Sequence, residues 1–364
     1  MRLISTSRLE PNMVLAKSIY DNGCLILCSG QTNLGRYVES LHNMGIEYLY
    51  VEDEKSEGIE IPDVISEETR IKCKTVLRDV MVRMSNESVM DVDIMQDMVD
   101  VVLEEVLQNR SVQVGLNDIG TTDDYTLTHS VSTTVYALLL ASRLNYSKNM
   151  LKKLAIGALL HDIGKVLLDK DILFKEGALD EDEIEYVKQH TTLGYMTLKE
   201  SVTLSELSRI IALQHHERMD GSGYPSGVKA SEVHEFSRIV AIADVYDALT
   251  TDRCYHKKWP NDKAVSYLIK CAGDKFDTEL VRTFVQLVAI YPNGSIVRLS
   301  NGCYAIVKEQ NKNMPLRPIV RVYEDQHKKE VEMYEIDLMK ELSVTIVESE
   351  VELISEPSCL KNKS

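Results

Sequence analysis

The pattern of apolar and polar residues predicts a largely helical chain whose two ends have strand character. Between residues 64 and 112, apolar residues recur every three or four positions, first in IKCKTVLRDVMVRM and then in DIMQDMVDVVLEEVL. This spacing is typical of amphipathic helices, whose apolar face needs a surface to pack against. Packing within the chain or dimerisation accounts for such a stretch, and signal transmission is the alternative.

More helices are predicted between residues 118 and 290, where apolar residues recur at helical intervals and polar loops separate the segments. Asp180 and Glu183 have the spacing of a capping box, which predicts that one of these helices begins next to Asp180. The helical segments are predicted at residues 129–144, 150–161, 181–190, 204–215 and 235–250.

Both ends of the chain carry turn and strand signals. In residues 1–62, SIYDNGCLILC predicts two strands joined by an Asn-Gly turn, followed by a helix at 32–44 and a strand at 47–51. After residue 290, YPNGSIVRLSNGCYAIVKEQ contains two Asn-Gly turns between alternating apolar residues, and PIVRVYE and SVTIVE add strand candidates. The predicted fold is mainly α, with a small α/β domain at residues 1–62, a helical linker at 63–117, a helical domain at 118–290, and a small β module with a tail at 291–364.

Charge and composition narrow the function classes. The net charge of −16 argues against binding to a nucleic-acid polymer, whose affinity depends on neutralising phosphates with cations. No apolar stretch approaches the roughly 20 residues of a membrane span, and MRLISTSRLEPN lacks the apolar centre of a signal peptide. We therefore expect a cytoplasmic protein without a membrane segment. The seven cysteines are scattered without a CxxC pair, so reduced thiols are expected.

Histidines and aspartates in the helical region form the candidate chemical site. His161 is followed by Asp162, His215 is followed by His216, and Asp244 interrupts the apolar run VAIADVYDAL. Each feature alone is explained by a helix end or a hydrogen-bonded core residue. Buried polar groups need partners, however, and a metal site satisfies many of them at once. The joint set of candidates is His129, His161, Asp162, His190, His215, His216 and Asp244.

Four segments resemble a known family. HDIGK at 161–165 resembles the signature of the HD phosphohydrolase superfamily, and HHERMDGSGYPSG at 215–227 is similar to the signature of its HD-GYP subfamily. HTTLGYMTL at 190–198 and ADVYDALTTDRCY at 243–255 are similar to further segments of that family, so the resemblance covers roughly residues 120–285. It implies an HD-type helical bundle around a metal centre. It also implies metal-dependent hydrolysis of cyclic di-GMP to a linear dinucleotide or GMP in bacterial second-messenger signalling.

The resemblance also implies a ligand set for two divalent ions. One ion would be held by His129, His161, Asp162 and Asp244, and the other by Asp162, His190, His215 and His216. Imidazole and carboxylate ligands suit iron or manganese, with nickel or zinc as alternatives. Some members of the family hold a third ion with a glutamate one turn before the first histidine. Tyr125 occupies that position here, so two ions are expected, unless the adjacent Asp124 replaces the glutamate.

Asp162 and Lys165 are the candidate catalytic residues. Lys165 follows Asp162 by three residues, so it is placed to stabilise or protonate a ribose 3′ oxygen as it leaves. Arg218 and Arg253 are candidate phosphate partners, although either could instead pair with Asp220 or Asp247. Tyr224 is expected either to stack on a base or to brace the glycine-rich loop around it. The full set of candidate substrate-binding residues is Arg218, Asp220, Gly221, Gly223, Tyr224, Pro225, Asp247 and Arg253.

Two other functions fit the same residues. The first is hydrolysis of a different cyclic dinucleotide such as cyclic GMP-AMP, which a substrate panel would separate from cyclic di-GMP. The second is a non-catalytic cyclic dinucleotide sensor or docking module with a decayed site. Decay would remove metal ligands, and every one of the motif positions is kept here. Homodimerisation and signalling partner proteins are further expectations.

Overall fold

The computed structural model describes residues 1–349, except 22–23, 88–91, 111, 114–124, 174, 176, 202, 252–257 and 313. The described chain is mainly helical, with antiparallel sheets at its two ends, which confirms the predicted fold class. The helices are α1 (Val38–Asn43), α2 (Glu67–Glu87), α3 (Val92–Gln108), α4 (Tyr125–Arg143), α5 (Lys148–Leu159), α6 (Lys170–Leu173), α7 (Glu181–Lys188), α8 (His190–Lys199), α9 (Glu206–Gln214), α10 (Glu235–Thr250), α11 (Asn261–Lys270) and α12 (Thr278–Val285).

Helix α4 lies at the centre of the bundle. Every residue from 127 to 141 is buried, because α2, α3, α5, α10 and α12 all pack against this helix. Tyr136 makes ring contacts with Tyr246 of α10 at 5.1 Å and with Phe284 of α12 at 5.8 Å between centroids. A helix that is buried on all sides carries its polar residues into the interior. His129 therefore lies inside the bundle.

Helices α2 and α3 belong to this bundle. Val64, Leu77, Val99 and Val106 are buried in the same continuous core as the residues of α4, α5 and α10. The linker boundaries at 63–117 stay a prediction, but the packing expected for the apolar residues of this segment is found within the chain. The apolar faces of its two helices are covered by the bundle itself, so the segment is a structural part of the domain.

The N-terminal segment forms a small α/β unit. A three-stranded antiparallel sheet has the order β1–β5–β2, and β3 and β4 form a separate hairpin on either side of the predicted Asn-Gly turn, which lies outside the described residues. Helix α1 and these strands enclose a core of their own. The strands are β1 (Arg2–Ser5), β2 (Val14–Leu15), β3 (Ile19–Asp21), β4 (Cys24–Leu27) and β5 (Tyr48–Glu52).

The C-terminal segment forms a five-stranded antiparallel sheet with the order β10–β6–β7–β8–β9. Both predicted Asn-Gly turns are present, with Gly294 and Gly302 at φ of 81° and 88°. One face of the sheet joins the core of the helical bundle. The strands are β6 (Ile296–Leu299), β7 (Tyr304–Glu309), β8 (Ile319–Glu324), β9 (Glu330–Asp337) and β10 (Ile346–Ser349).

The C-terminal sheet also contacts the N-terminal unit. The backbone amide of Leu3 donates to the carbonyl of Gly294 at 3.0 Å, and the Arg321 guanidinium donates to the carbonyls of Lys55 and Glu57 at 3.3 and 2.6 Å. The sheet is thus packed between the bundle and the N-terminal unit. Among the described residues, no helix has both the length and the apolar character that a membrane crossing needs.

Candidate metal centre

The candidate ligands sit at helix ends or on helix faces that converge in the bundle. His129 lies in α4 and Asp244 in α10, which pack directly against each other. His161 and Asp162 come directly after Leu160, the C-cap of α5, and His190 is the first residue of α8. The predicted helix at 181–190 thus ends two residues early, and a new helix starts at the histidine. His215 and His216 follow α9.

The seven side chains form two adjoining groups. The ligand atoms of Asp162, His190, His215 and His216 lie within 4.8 Å of one another, and those of His129, His161 and Asp244 do the same. Asp162 lies between the groups, with Oδ2 at 3.4 Å from His161 Nε2 and Oδ1 at 3.4 Å from His190 Nε2. The structure therefore brings together every residue of the predicted ligand set. That they bind metal, and how many ions, stays a prediction.

Hydrogen bonds to the backbone fix the orientation of three imidazoles. Nδ1 of His161 lies 2.7 Å from the Ala158 carbonyl, and Nδ1 of His190 lies 2.7 Å from the Val187 carbonyl. Nδ1 of His215 lies 3.0 Å from the Ile211 carbonyl. Because a carbonyl only accepts, each Nδ1 must carry the hydrogen. Each Nε2 then presents a lone pair to the centre, which is the tautomer that a metal ligand requires.

The converging lone pairs need a cation. Nε2 of His190 and Nε2 of His215 are only 3.4 Å apart, so two acceptor atoms face each other. Within the described part of the chain, His161 Nε2 and Asp162 Oδ1 are buried without a hydrogen-bond partner. Unsatisfied buried polar atoms are rare and costly in folded proteins. A divalent ion bound by imidazole and carboxylate would satisfy all of them, so the residues fit a metal centre.

Burial sets the protonation of the group formed by Asp162, His190, His215 and His216. It lowers the pKa of His190, lowers that of His215 well below its ordinary value, and lowers that of His216 to about 3. Burial would raise the pKa of Asp162, but Lys165 and His161 hold it well below its usual range. At neutral pH the group therefore offers neutral imidazoles and an ionised carboxylate, the forms that bind metal.

His129 has a different environment. Its Nε2 lies 3.0 Å from Asp244 Oδ1, and its Nδ1 lies 2.6 Å from Asp247 Oδ2. The Asp247 side chain is 3% exposed. This placement differs from the predicted substrate contact of Asp247, because the carboxylate is enclosed behind His129, on the side away from Asp244. Burial would lower the pKa of His129, but hydrogen bonds to Asp244 and Asp247 outweigh it and raise the pKa to about 9.

Metal loading should therefore release a proton from His129. In the metal-free protein the imidazolium contributes stability that is fully present below its ordinary pKa of 6.5 and is lost as the pH rises through about 9. Because Nε2 must be neutral to bind an ion, about one proton per chain should be released by His129 near pH ~7.5, and none above pH ~10. Calorimetric metal titrations in buffers of different ionisation enthalpy measure this number. Equal release at both pH values would contradict this protonation state.

Lys165 contacts the central carboxylate. It lies in a 3₁₀ turn, Ile163–Leu167, and its Nζ is 2.6 Å from Asp162 Oδ2. The Lys165 side chain is 26% exposed, whereas the Asp162 side chain is 2% exposed. The ammonium group therefore connects the buried carboxylate to solvent, where a phosphate ester could approach.

Gly164 allows this turn to pack tightly on α8. A Cβ atom at Gly164 would lie 1.9 Å from the carbonyl oxygen of His190 and 2.6 Å from the amide nitrogen of Gly194. Both are backbone atoms, so relieving the clash would require a shift of the main chain. The glycine therefore sets the distance between the turn that carries Lys165 and the helix that begins at His190.

We expect Gly164→Ala to lower the free energy of unfolding by about 1–3 kcal/mol, because it forces apart two backbones that are in contact. Chemical unfolding of the metal-free protein measures the change. Gly35→Ala is a matched control, because a Cβ at Gly35 meets no atom within 4 Å. If the two variants unfold alike, the contact at Gly164 carries no strain.

The glycine-rich loop is held from behind by Glu217, which the sequence interpretation missed. Its side chain is buried, and its carboxylate accepts from the backbone amides of Ser226 at 2.8 Å and Val228 at 3.2 Å. A Cβ at Gly223 would lie 2.4–2.5 Å from backbone atoms of residues 216–218. The only signal in the sequence is an acidic residue directly after the His-His pair.

Tyr224 packs on the metal-ligand side of this loop. Its ring is stacked on His216, with centroids 4.6 Å apart and planes at 29°, and Lys188 Nζ lies 5.4 Å from the ring centroid. One face of the phenol is thus occupied by the imidazole. This contact favours a role for Tyr224 in bracing the loop over a role in stacking on a base. Pro225 is the next residue of the loop.

The remaining candidate substrate residues lie around the loop. Arg218 donates to the carbonyls of His215 and Glu217 at 3.1 and 2.9 Å and lies over the Phe276 ring. The Ser222 hydroxyl donates to Asp220 Oδ1 at 2.6 Å. Gly221 has a φ of 82°. Arg253, Asp124 and the side chain of Tyr125 lie outside the described residues, so their predicted roles are not addressed by the structure.

The fold and the site define a helical HD-type domain with a histidine–aspartate cluster that could hold metal ions. The HD domain family matches residues 95–280, about half of the chain, and a KOW domain associated with HD domain matches residues 296–352. The chain belongs to the HD domain family, and within it to the HD-GYP phosphohydrolases. The family match begins inside α3, which agrees with the packing of that helix into the bundle.

Several curated relatives match part of this chain. A cyclic di-GMP phosphodiesterase from Pseudomonas aeruginosa is 36% identical over 227 residues, 62% of this chain and 55% of the relative. The cyclic di-GMP phosphodiesterase response regulator RpfG from Xanthomonas campestris is 40% identical over 144 residues, 39% of this chain and 38% of the relative. A 3'3'-cGAMP-specific phosphodiesterase from Vibrio cholerae is 36% identical over 169 residues, 46% and 36% of the two chains. The chain spans about half or less of the length of these relatives.

Proposed function

We propose that this chain hydrolyses the phosphodiester bond of cyclic di-GMP to a linear dinucleotide or GMP in a metal-dependent reaction. The observation that carries the proposal is the pair of adjoining His/Asp groups on either side of Asp162. Lys165 contacts the same carboxylate from the solvent side. Relatives that are 36–40% identical to this chain over 144–227 residues are named as cyclic di-GMP phosphodiesterases, which supports this substrate class.

In this proposal, His129, His161 and Asp244 would hold one divalent ion, His190, His215 and His216 the other, and Asp162 both. Two such ions, iron or manganese with nickel or zinc as alternatives, would supply Lewis acidity and generate hydroxide from water at neutral pH. The protein's own residues would then orient the phosphate and manage the leaving group. Their fixed tautomers and backbone hydrogen bonds preorganise the site for this chemistry.

Lys165 would stabilise or protonate the leaving ribose 3′ oxygen, since its ammonium group is the cation closest to Asp162 among the described residues. Glu217 and Tyr224 would keep the glycine-rich loop and His216 in place. Direct substrate contacts by Arg218, Asp220 and Arg253 remain part of the proposal. Burial of Asp247 argues for a role behind His129 instead.

A second substrate, cyclic GMP-AMP, is favoured by one observation: a relative specific for it is 36% identical to this chain over 169 residues. The metal centre treats the phosphodiester bonds of both molecules alike, so the bases must decide between them. Competition between the two substrates at equal concentration measures the ratio of their kcat/KM values.

The test is turnover by metal-loaded full-length chain with cyclic di-GMP, cyclic GMP-AMP and a linear dinucleotide, with products separated by chromatography. We expect hydrolysis of cyclic di-GMP in proportion to the metal bound. Tight binding of cyclic di-GMP by fully loaded protein, without any hydrolysis, would instead establish the sensor alternative.

A further inference from the structure

Two carboxylates of α10 hold the same imidazole from opposite sides. Asp244 and Asp247 are three residues apart, so they project from the same side of the helix toward α4. Asp244 Oδ1 lies 3.0 Å from Nε2 of His129, and Asp247 Oδ2 lies 2.6 Å from Nδ1. Asp244 belongs to the predicted ligand set, whereas Asp247 is enclosed behind the ring.

The other histidines with fixed orientations have no such partner. Nδ1 of His161, His190 and His215 each donates to a backbone carbonyl, which is a neutral dipole. Within the described cluster, His129 alone has a carboxylate at hydrogen-bond distance from Nδ1, whereas Nδ1 of His216 lies 3.8 Å from Asp244 Oδ2. An anionic acceptor makes the opposite nitrogen a stronger donor to a metal, and it adds a negative charge at short range in a poorly solvated interior.

The two halves of the centre therefore differ in charge. The half formed by His129, His161 and Asp244 has one carboxylate of its own and a second behind His129. The half formed by His190, His215 and His216 has imidazoles alone, and the two halves share Asp162. The half with more negative charge, formed by His129, His161 and Asp244, should therefore attract a divalent cation more strongly.

We propose that Asp247 is a positioning residue that makes the His129 half the tighter metal site, so that it takes up the first divalent ion. The inference rests on the proposed metal centre but not on any substrate. It replaces the substrate contact predicted for Asp247 with a role in metal affinity. It also gives the two halves an order of filling, from the more anionic to the less anionic.

Titration of the metal-free full-length chain with Co²⁺, followed by its visible absorption, tests the proposal. Wild type should bind in two steps of different affinity. Asp247→Asn keeps a hydrogen-bond acceptor but removes the charge, and Asp247→Ala removes both. We expect the first step to weaken by about 10-fold in Asp247→Asn and about 100-fold in Asp247→Ala, the range for partners behind a ligand. Asp182→Asn, an exposed change of the same charge in α7, should titrate like wild type.

A second background identifies the half that is affected. His215→Ala removes a ligand of the imidazole-rich half only, so the tight step should survive in it. Adding Asp247→Asn should weaken that remaining step by the same factor. If Asp247→Asn instead changes only the weaker step of the wild-type titration, Asp247 does not act on the His129 half and the proposal is wrong.

Unchanged Co²⁺ affinity and unchanged absorption bands in both Asp247→Asn and Asp247→Ala would also overturn it. Asparagine has the shape of aspartate, so Asp247→Asn keeps the test decisive where alanine prevents folding. Circular dichroism of each variant shows whether a loss of Co²⁺ binding comes from misfolding or from the missing carboxylate. Failure of wild type to hydrolyse cyclic di-GMP while still binding two ions in order would contradict the proposed function and leave this inference standing.

Discussion

Asp162→Ala is expected to reduce hydrolysis of cyclic di-GMP below detection and to lower the metal content of both halves of the centre. The reason is its position: one carboxylate oxygen lies 3.4 Å from His161 Nε2 and the other lies 3.4 Å from His190 Nε2. A carboxylate that binds two ions serves both halves of the centre, so its removal should weaken metal binding in both. Elemental analysis and turnover on the same purified sample measure both effects.

The matched control for this variant is Asp171→Ala, an exposed aspartate in α6. It should keep the metal content and the rate of wild type. Retention of both metal and activity in Asp162→Ala would contradict the assignment of the whole site, because the Asp162 carboxylate lies 3.4 Å from a histidine of each group.

Lys165→Ala is expected to behave differently, with metal largely retained and the rate lowered by about 10²–10⁴-fold, the usual contribution of a general acid. Its Nζ contacts Asp162 but belongs to no ligand group, so its loss should affect the leaving group more than the metal. The change should appear in kcat, with binding of the substrate less affected.

Lys170→Ala, an exposed lysine in the neighbouring helix α6, controls for the loss of one positive charge near the site. It should leave kcat unchanged. A Lys165→Ala variant with full metal occupancy and the kcat of wild type would remove Lys165 from the mechanism, while leaving the metal centre intact.

Local signals predicted much of the fold. The helix at 235–250 has the predicted bounds, and Asp180 with Glu183 forms the predicted capping box at the start of α7. Helix periodicity and capping depend on residues close together in the sequence, so they can be recognised there. Strand β9 escaped prediction because it is a mostly exposed edge strand whose apolar alternation changes phase between Met333 and Tyr334.

The candidate site was predicted from motifs, but the partners of its residues were not. Asp247 follows Asp244 by three residues, so the sequence places both on one side of a helix without saying what faces them. The crossing of α4 over α10 decides that His129 meets both carboxylates. Glu217 and Gly164 were missed for the same reason, since each acts through backbone atoms of another segment.

Anaerobic purification, metal analysis and turnover with cyclic di-GMP on one sample test the central claim most directly. We predict about two ions per chain and a rate that rises with metal content and disappears when a chelator removes the metal. A folded chain that carries its full complement of metal and leaves cyclic di-GMP and cyclic GMP-AMP intact would contradict it.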